Sequence, residues 1–159
     1  LKKEIMSEKL SKERKIKNPF VQGAISPQFI AESIAKHQTK TNIGAHEIFL
    51  GQVRADEING KVVSAINYSC YEEMAKEEMH KIREETFEMF DLSCMHIYHS
   101  LGEVKTGEIC LFVFVSSARR KEVYKALKHL VEAIKERLPV FGKELFQDNT
   151  YVWKENKND

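Results

Sequence analysis

A chain of 159 residues with 42% apolar and 31% charged side chains has the size and composition of one globular domain that buries its own core. Its net charge of +1 gives no polycationic character, so a nucleic-acid role would need a local basic patch. No apolar run approaches the ~20 residues that cross a bilayer. Cys70, Cys94 and Cys110 are odd in number and lack CxxC spacing, which fits reduced thiols in a cytoplasmic setting rather than a disulfide framework.

Residues 1–17 are dense in Lys, Glu and Ser without an apolar stretch, and are expected to form a flexible charged tail ahead of a single domain over 18–159. Ser26-Pro27 is a helix start, with Ser as N-cap and Pro in the first turn. The helix is predicted to reach Lys36, with Phe29, Ile30 and Ile34 inward. Residues 45–53 read as a strand in which Gly51 permits a bulge or a close backbone approach. Asn59-Gly60 signals a hairpin, and 61–68 read as the return strand.

Residues 71–90 form the clearest helix, with Tyr71, Met74, Ala75, Met79, Ile82, Phe87 and Phe90 on one stripe. Strands follow at 94–99 and 108–115, joined through Gly102 and Gly107. A second long helix is predicted over 119–138, with Val123, Leu127, Leu130, Val131, Ile134 and Leu138 inward. Pro139 ends it, and Tyr151, Val152 and Trp153 read as a short last strand. The order αββαββαβ without regular βαβ crossovers predicts an α+β domain with a mixed or antiparallel sheet and two long helices.

The last third of the chain concentrates positive charge at the ends of these elements. Arg119 and Arg120 follow the apolar strand, and Lys135 and Lys143 flank Pro139. Arginines at a helix N-terminus oppose the helix dipole, and clustered cations repel one another unless an anion sits among them. A phosphate or carboxylate ligand accounts for them. The histidines show no metal-ligand spacing: His96 and His99 fall on opposite faces of a strand, and His80 and His129 lack a partner at i+4. No GxxxxGK[ST] or GxGxxG phosphate loop is present.

Five motifs share one order: Phe49-Leu50-Gly51-Gln52-Val53-Arg54, Tyr71-x-x-Met74-Ala75, His99-x-Leu101-Gly102, Ser116-Ser117-Ala118-x-Arg120 and Pro139-Val140-Phe141-x-Lys143-Glu144. Together they resemble the large catalytic subunit of molybdopterin synthase, the MoaE family, over residues 18–153. The resemblance implies an α/β hammerhead-type fold and a place in molybdenum cofactor biosynthesis. It implies sulfur transfer from the thiocarboxylated C-terminus of a small ubiquitin-like MoaD carrier to cyclic pyranopterin monophosphate (precursor Z), forming the molybdopterin dithiolene. It also implies a homodimer within a heterotetramer, and no cofactor or metal.

The resemblance assigns roles residue by residue. Arg54 matches an active-site arginine, though a lone arginine opening a polar turn reads locally as solvated surface. Phe49, Gln52, Val53 and Glu144 belong to the same motifs and are assigned to the substrate pocket. Arg120 matches the arginine of a His-Arg pair that reaches across the dimer, and Arg119 stands where the family usually has His. Lys135 matches a catalytic lysine one turn before the proline. Gly142 occupies the position of a second catalytic lysine, and Lys143 is expected to serve in its place. Ser100 and Ser69 replace a frequent arginine and an acidic residue. A non-catalytic dimeric binding scaffold is the rival reading, motivated by Gly142. A nucleic-acid-binding domain ranks third, because the basic tail lacks interleaved aromatics.

Overall fold

The computed structural model describes residues 16–155, so most of the expected tail lies outside the described residues. The elements are β1 (Phe20–Gln22), α1 (Pro27–His37), β2 (Ala45–Gln52), β3 (Glu57–Ile58), β4 (Lys61–Cys70), α2 (Glu72–Met89), β5 (Cys94–Lys105), β6 (Ile109–Ser117), α3 (Arg120–Arg137), β7 (Val140–Phe146) and β8 (Tyr151–Trp153). Local chemistry explains the clearest boundaries. Ser26 Oγ accepts the Phe29 N–H at 3.1 Å and starts α1. Asn59 and Gly60, with φ of 51° and 79°, form the left-handed pair that turns β3 into β4.

One mixed sheet runs β2-β6-β5-β4-β7-β8, with β1 parallel on β5 and β3 on β4. The α+β class therefore stands. β6 organises both layers, because its residues alternate between faces and nearly all are buried. Leu111, Val113 and Val115 join the main core with Ala75, Met79 and Ile82 of α2 and Val123, Leu127 and Leu130 of α3. Phe112 and Phe114 point the other way, into a smaller core with Ile25 and Ile30 under α1. Side chains of this size each contribute about 1.5–3 kcal/mol when fully buried.

The structure departs from the sequence expectation in three places. The strand at 61–70 does not return along β2; β2 pairs with β6 instead, and β4 lies between β5 and β7. An all-apolar strand such as β6 needs a neighbour on each edge, and β2 and β5 supply them. Residues 140–146, to which the sequence pattern assigns no element, form β7, antiparallel to β4 and β8. Its inward positions are Gly142, Glu144 and Phe146, so only one of the three carries the apolar signal of a strand. Finally, Tyr71 and Met74 are 70% and 59% exposed. The buried line of α2 is Ala75, Met79, Ile82 and Thr86, which leaves Met74 just off it and Tyr71 at the N-cap.

Gly51 fulfils both parts of its expectation. The β2–β6 register shifts between Gly51 and Gln52, and a Cβ at Gly51 would stand 3.1 Å from Leu111 Cβ. Among the described residues no helix is long and apolar enough to cross a membrane.

Candidate functional site

Where α3 stops, the fold leaves a cavity of about 370 Å³ walled by the end of α3, the start of β7, Tyr68 of β4, His99 of β5, and Trp153 and Lys154 after the last turn. Pro139 creates this corner. It ends the helical bonding after Leu138 N–H meets Ile134 C=O at 3.1 Å, and the chain turns at once into β7. Buried Leu138 pins the corner to the core. Arg137, one residue earlier, bonds Glu78 at 2.8 Å and also Glu85, which ties this end of α3 to α2.

Lys135 lines the cavity, and its side chain keeps access to solvent. The surrounding walls still desolvate its ammonium and hold its pKa below the ordinary lysine value; the Lys154 ammonium adds to this and Cys110 opposes it. His99 is buried and donates its Nδ1–H to the Ser100 carbonyl at 2.8 Å. Burial chiefly, and then Lys135 and Lys154, push its pKa down to about 4, against the effect of the Ser100 bond. At neutral pH it is therefore an uncharged imidazole whose Nε2 carries the lone pair. Tyr68 packs edge-on to His99 at 5.2 Å, and burial followed by Cys110 and Glu144 raises its pKa. The cavity thus holds two cations over a neutral, hydrogen-bonding floor, a setting that attracts an anionic group and keeps a lysine proton labile.

The sequence-predicted residues divide in two. Lys135 and Gly142 line the cavity. Lys143 does not: strand alternation turns it away from Gly142, and its Nζ lies 4.7 Å from the Tyr151 ring and 4.9 Å from the Trp153 ring. Lys154 takes the inward place. Its N–H donates to Gly142 C=O at 2.8 Å, and its Cβ would be 3.6 Å from a Cβ at residue 142. Glu144 is buried behind the cavity, Val53 is core, Phe49 packs against that core, and Gln52 is exposed. Arg54 is largely solvent-exposed and pairs with Asp56 at 3.3 Å.

Arg119 and Arg120 are exposed at the opposite end of α3 from Lys135. Fifteen positions separate Arg120 from Lys135, about 22 Å along the axis at 1.5 Å per residue. No side chain spans that distance, so the arginines and Lys135 do not share a site within one protomer.

Sequence reasoning assigned no role to His99, Tyr68 or Lys154. His99 stood in a quoted motif, whereas Lys154 reaches the cavity only because β7 and β8 pair, and β7 was not foreseen. Spacing along the chain also hid a second cluster. The fold brings His37 of α1 against Cys94 and His96 of β5, a juxtaposition that spacing along the chain does not show.

Comparisons with known proteins bear on this arrangement. The family model described as MoaE protein matches residues 24–137. A molybdopterin synthase catalytic subunit from Pyrococcus abyssi is 36% identical over 77% of this chain and 81% of its own length. One from Emericella nidulans is 34% identical over 77% of this chain, which spans only 62% of that longer relative. The crystal structure of molybdopterin synthase from Staphylococcus aureus superposes with a TM-score of 0.73 at 27% identity, covering 91% of this chain and 100% of that one. A complex of subunits 1 and 2 of the molybdopterin-converting factor from Helicobacter pylori has the same fold, with a TM-score of 0.73 at 21% identity over 87% of this chain and 90% of that one. Sequence and fold agree over most of the chain, which belongs to the MoaE family.

Proposed function

We propose that this protein is the catalytic subunit of a molybdopterin synthase, a sulfurtransferase of molybdenum cofactor biosynthesis acting in the cytoplasm. Its sulfur donor is the thiocarboxylated C-terminus of a small MoaD-like carrier, and its acceptor is cyclic pyranopterin monophosphate. The observation that carries this reading is the pairing of Lys135 with Lys154 in one concave cavity. Both the thiocarboxylate and the cyclic phosphate are anions, and two ammonium groups in a partly desolvated corner attract them better than either would in water. The lowered pKa of Lys135 fits it to pass a proton, or to attack the acyl carbon of the thioester that joins carrier to substrate, forming an amide and releasing the sulfur on the substrate as a thiolate.

The reading has Lys154, rather than Lys143, serve for the side chain absent at Gly142. Arg119 and Arg120 of a second copy supply the phosphate fork, since their own cavity lies beyond reach. Arg54, exposed just after β2 and paired with Asp56, is assigned to the substrate by the family resemblance. The protein therefore works as a dimer with one carrier at each site. Incubation with thiocarboxylated carrier and precursor Z tests the proposal through dithiolene formation. Gly142 favours the rival, a non-catalytic scaffold, and the same assay separates the two: a carrier-bound protein that forms no dithiolene is a scaffold.

A further inference from the structure

We propose that His37, Cys94 and His96 form a binding site for one divalent transition metal ion of the zinc class per protomer, clipping α1 to β5. The ligand atoms of the three residues all lie within 4.8 Å of one another. Cys94 and His96 sit two apart on β5 and so present their side chains on one face. His37 is the last residue of α1, and it meets them because that helix packs across Phe112 and Phe114 on the same face. The His37 ring stands 4.7 Å from Phe114 and 4.6 Å from His96. Both His37 and Cys94 are more than nine-tenths buried.

The details are those of a built site. His37 Nδ1–H donates to the Ser33 carbonyl at 2.7 Å, which fixes the tautomer and aims the Nε2 lone pair at the cluster. Backbone anchoring of the remote ring nitrogen is the usual outer-shell support of a metal-bound histidine. His37 Nε2 and His96 Nε2 lie 2.8 Å apart, with His96 Nε2–H donating to the His37 lone pair. An ion takes the place of that proton, which moves to His96 Nδ1, with a small widening to about 3.3 Å for two nitrogens each ~2.0–2.1 Å from a tetrahedral zinc. Lys40 donates to Cys94 Sγ at 2.9 Å, so the negative charge of a metal-bound thiolate meets an ammonium already in place.

Two imidazoles and a thiolate select zinc, cobalt or copper over the oxygen-seeking magnesium and calcium. His46 stands near, its ring 6.3 Å from that of His37, but its Nδ1 is engaged by Ser116 Oγ at 2.6 Å. Water fills the fourth position. His99, three residues beyond His96, faces the catalytic cavity instead, so this site is independent of the sulfur-transfer reading.

The test uses the full chain stripped with chelator and titrated with Co²⁺, then Zn²⁺. One Co²⁺ per protomer is expected, with the near-ultraviolet thiolate-to-cobalt band, and Zn²⁺ should displace it. Zn²⁺ should also raise the Tm of the stripped protein by several degrees, on the order expected when a ligand saturates the native state alone. Cys94→Ser should abolish the band and His96→Gln should weaken binding at least tenfold, while Cys70→Ser retains both. If Cys94→Ser does not fold, His96→Gln, at a half-buried position, gives the reading alone. No cobalt uptake by the stripped protein, or uptake unchanged in the folded variants, overturns the site.

Discussion

Lys154 donates its backbone N–H to the carbonyl of Gly142 at 2.8 Å and lays its side chain into the cavity that Gly142 lines. The one position where the chain lacks an expected lysine is thus joined, through a β7–β8 backbone bond, to a lysine from another strand end. Charge lost at residue 142 is present again about one side chain away.

Lys154→Ala is accordingly expected to lower the turnover of sulfur transfer by more than tenfold, equivalent to more than ~1.4 kcal/mol of transition-state stabilisation. Lys143→Ala should change it by less than about threefold, since that ammonium sits over Tyr151 and Trp153. Parallel steady-state assays of the two variants decide the matter. A neutral Lys154→Ala with an impaired Lys143→Ala would reverse the assignment.

Much of this was legible in the sequence. Ser26-Pro27, Asn59-Gly60 and Pro139 marked boundaries the structure keeps, because each acts through backbone chemistry local to a few residues. Lys135 was singled out by the family resemblance alone, since its spacing reads equally well as a surface lysine; the structure sets it on the cavity wall. Long-range pairing was not legible. β7 hides behind Gly142 and Glu144 on its inward face, and without it neither the central place of β4 nor the approach of Lys154 can be inferred. The His37–Cys94–His96 cluster was invisible for the same reason, its members lying on a helix and a strand far apart in the chain.

Acid should destabilise the protein through His99. Its folded pKa, about 4, lies below the ordinary value of 6.5. Between these limits the unfolded chain takes up a proton that the folded chain refuses. Stability is therefore full above pH ~6.5 and is lost as pH falls toward ~4, by on the order of 3 kcal/mol for this group. Urea titrations at intervals across that window should show the decline, and His99→Gln should flatten part of it. An unchanged pH slope in the variant would remove His99 from the account.

Arg120 and Lys135 cannot meet within one chain, so the account requires that they meet across a dimer. Arg120→Ala and Lys135→Ala proteins, each inactive alone, should regain activity when mixed and allowed to exchange protomers. Recovery should approach one intact site in each mixed dimer. No recovery with exchange demonstrated would contradict the shared site.

Phe112 is fully buried between β6 and α1. Phe112→Ala should cost about 3–5 kcal/mol by loss of burial and the cavity left behind. Chemical denaturation at neutral pH measures it. A loss under about 1 kcal/mol would show that α1 collapses onto the gap.

The most direct measurement is single-turnover dithiolene formation from thiocarboxylated carrier and precursor Z, run with wild type and with Lys135→Ala. The account predicts product with the wild type and none above background with the variant, while the variant keeps its melting temperature and carrier binding. Near-normal product from Lys135→Ala would contradict the claim that this cavity is where sulfur is transferred.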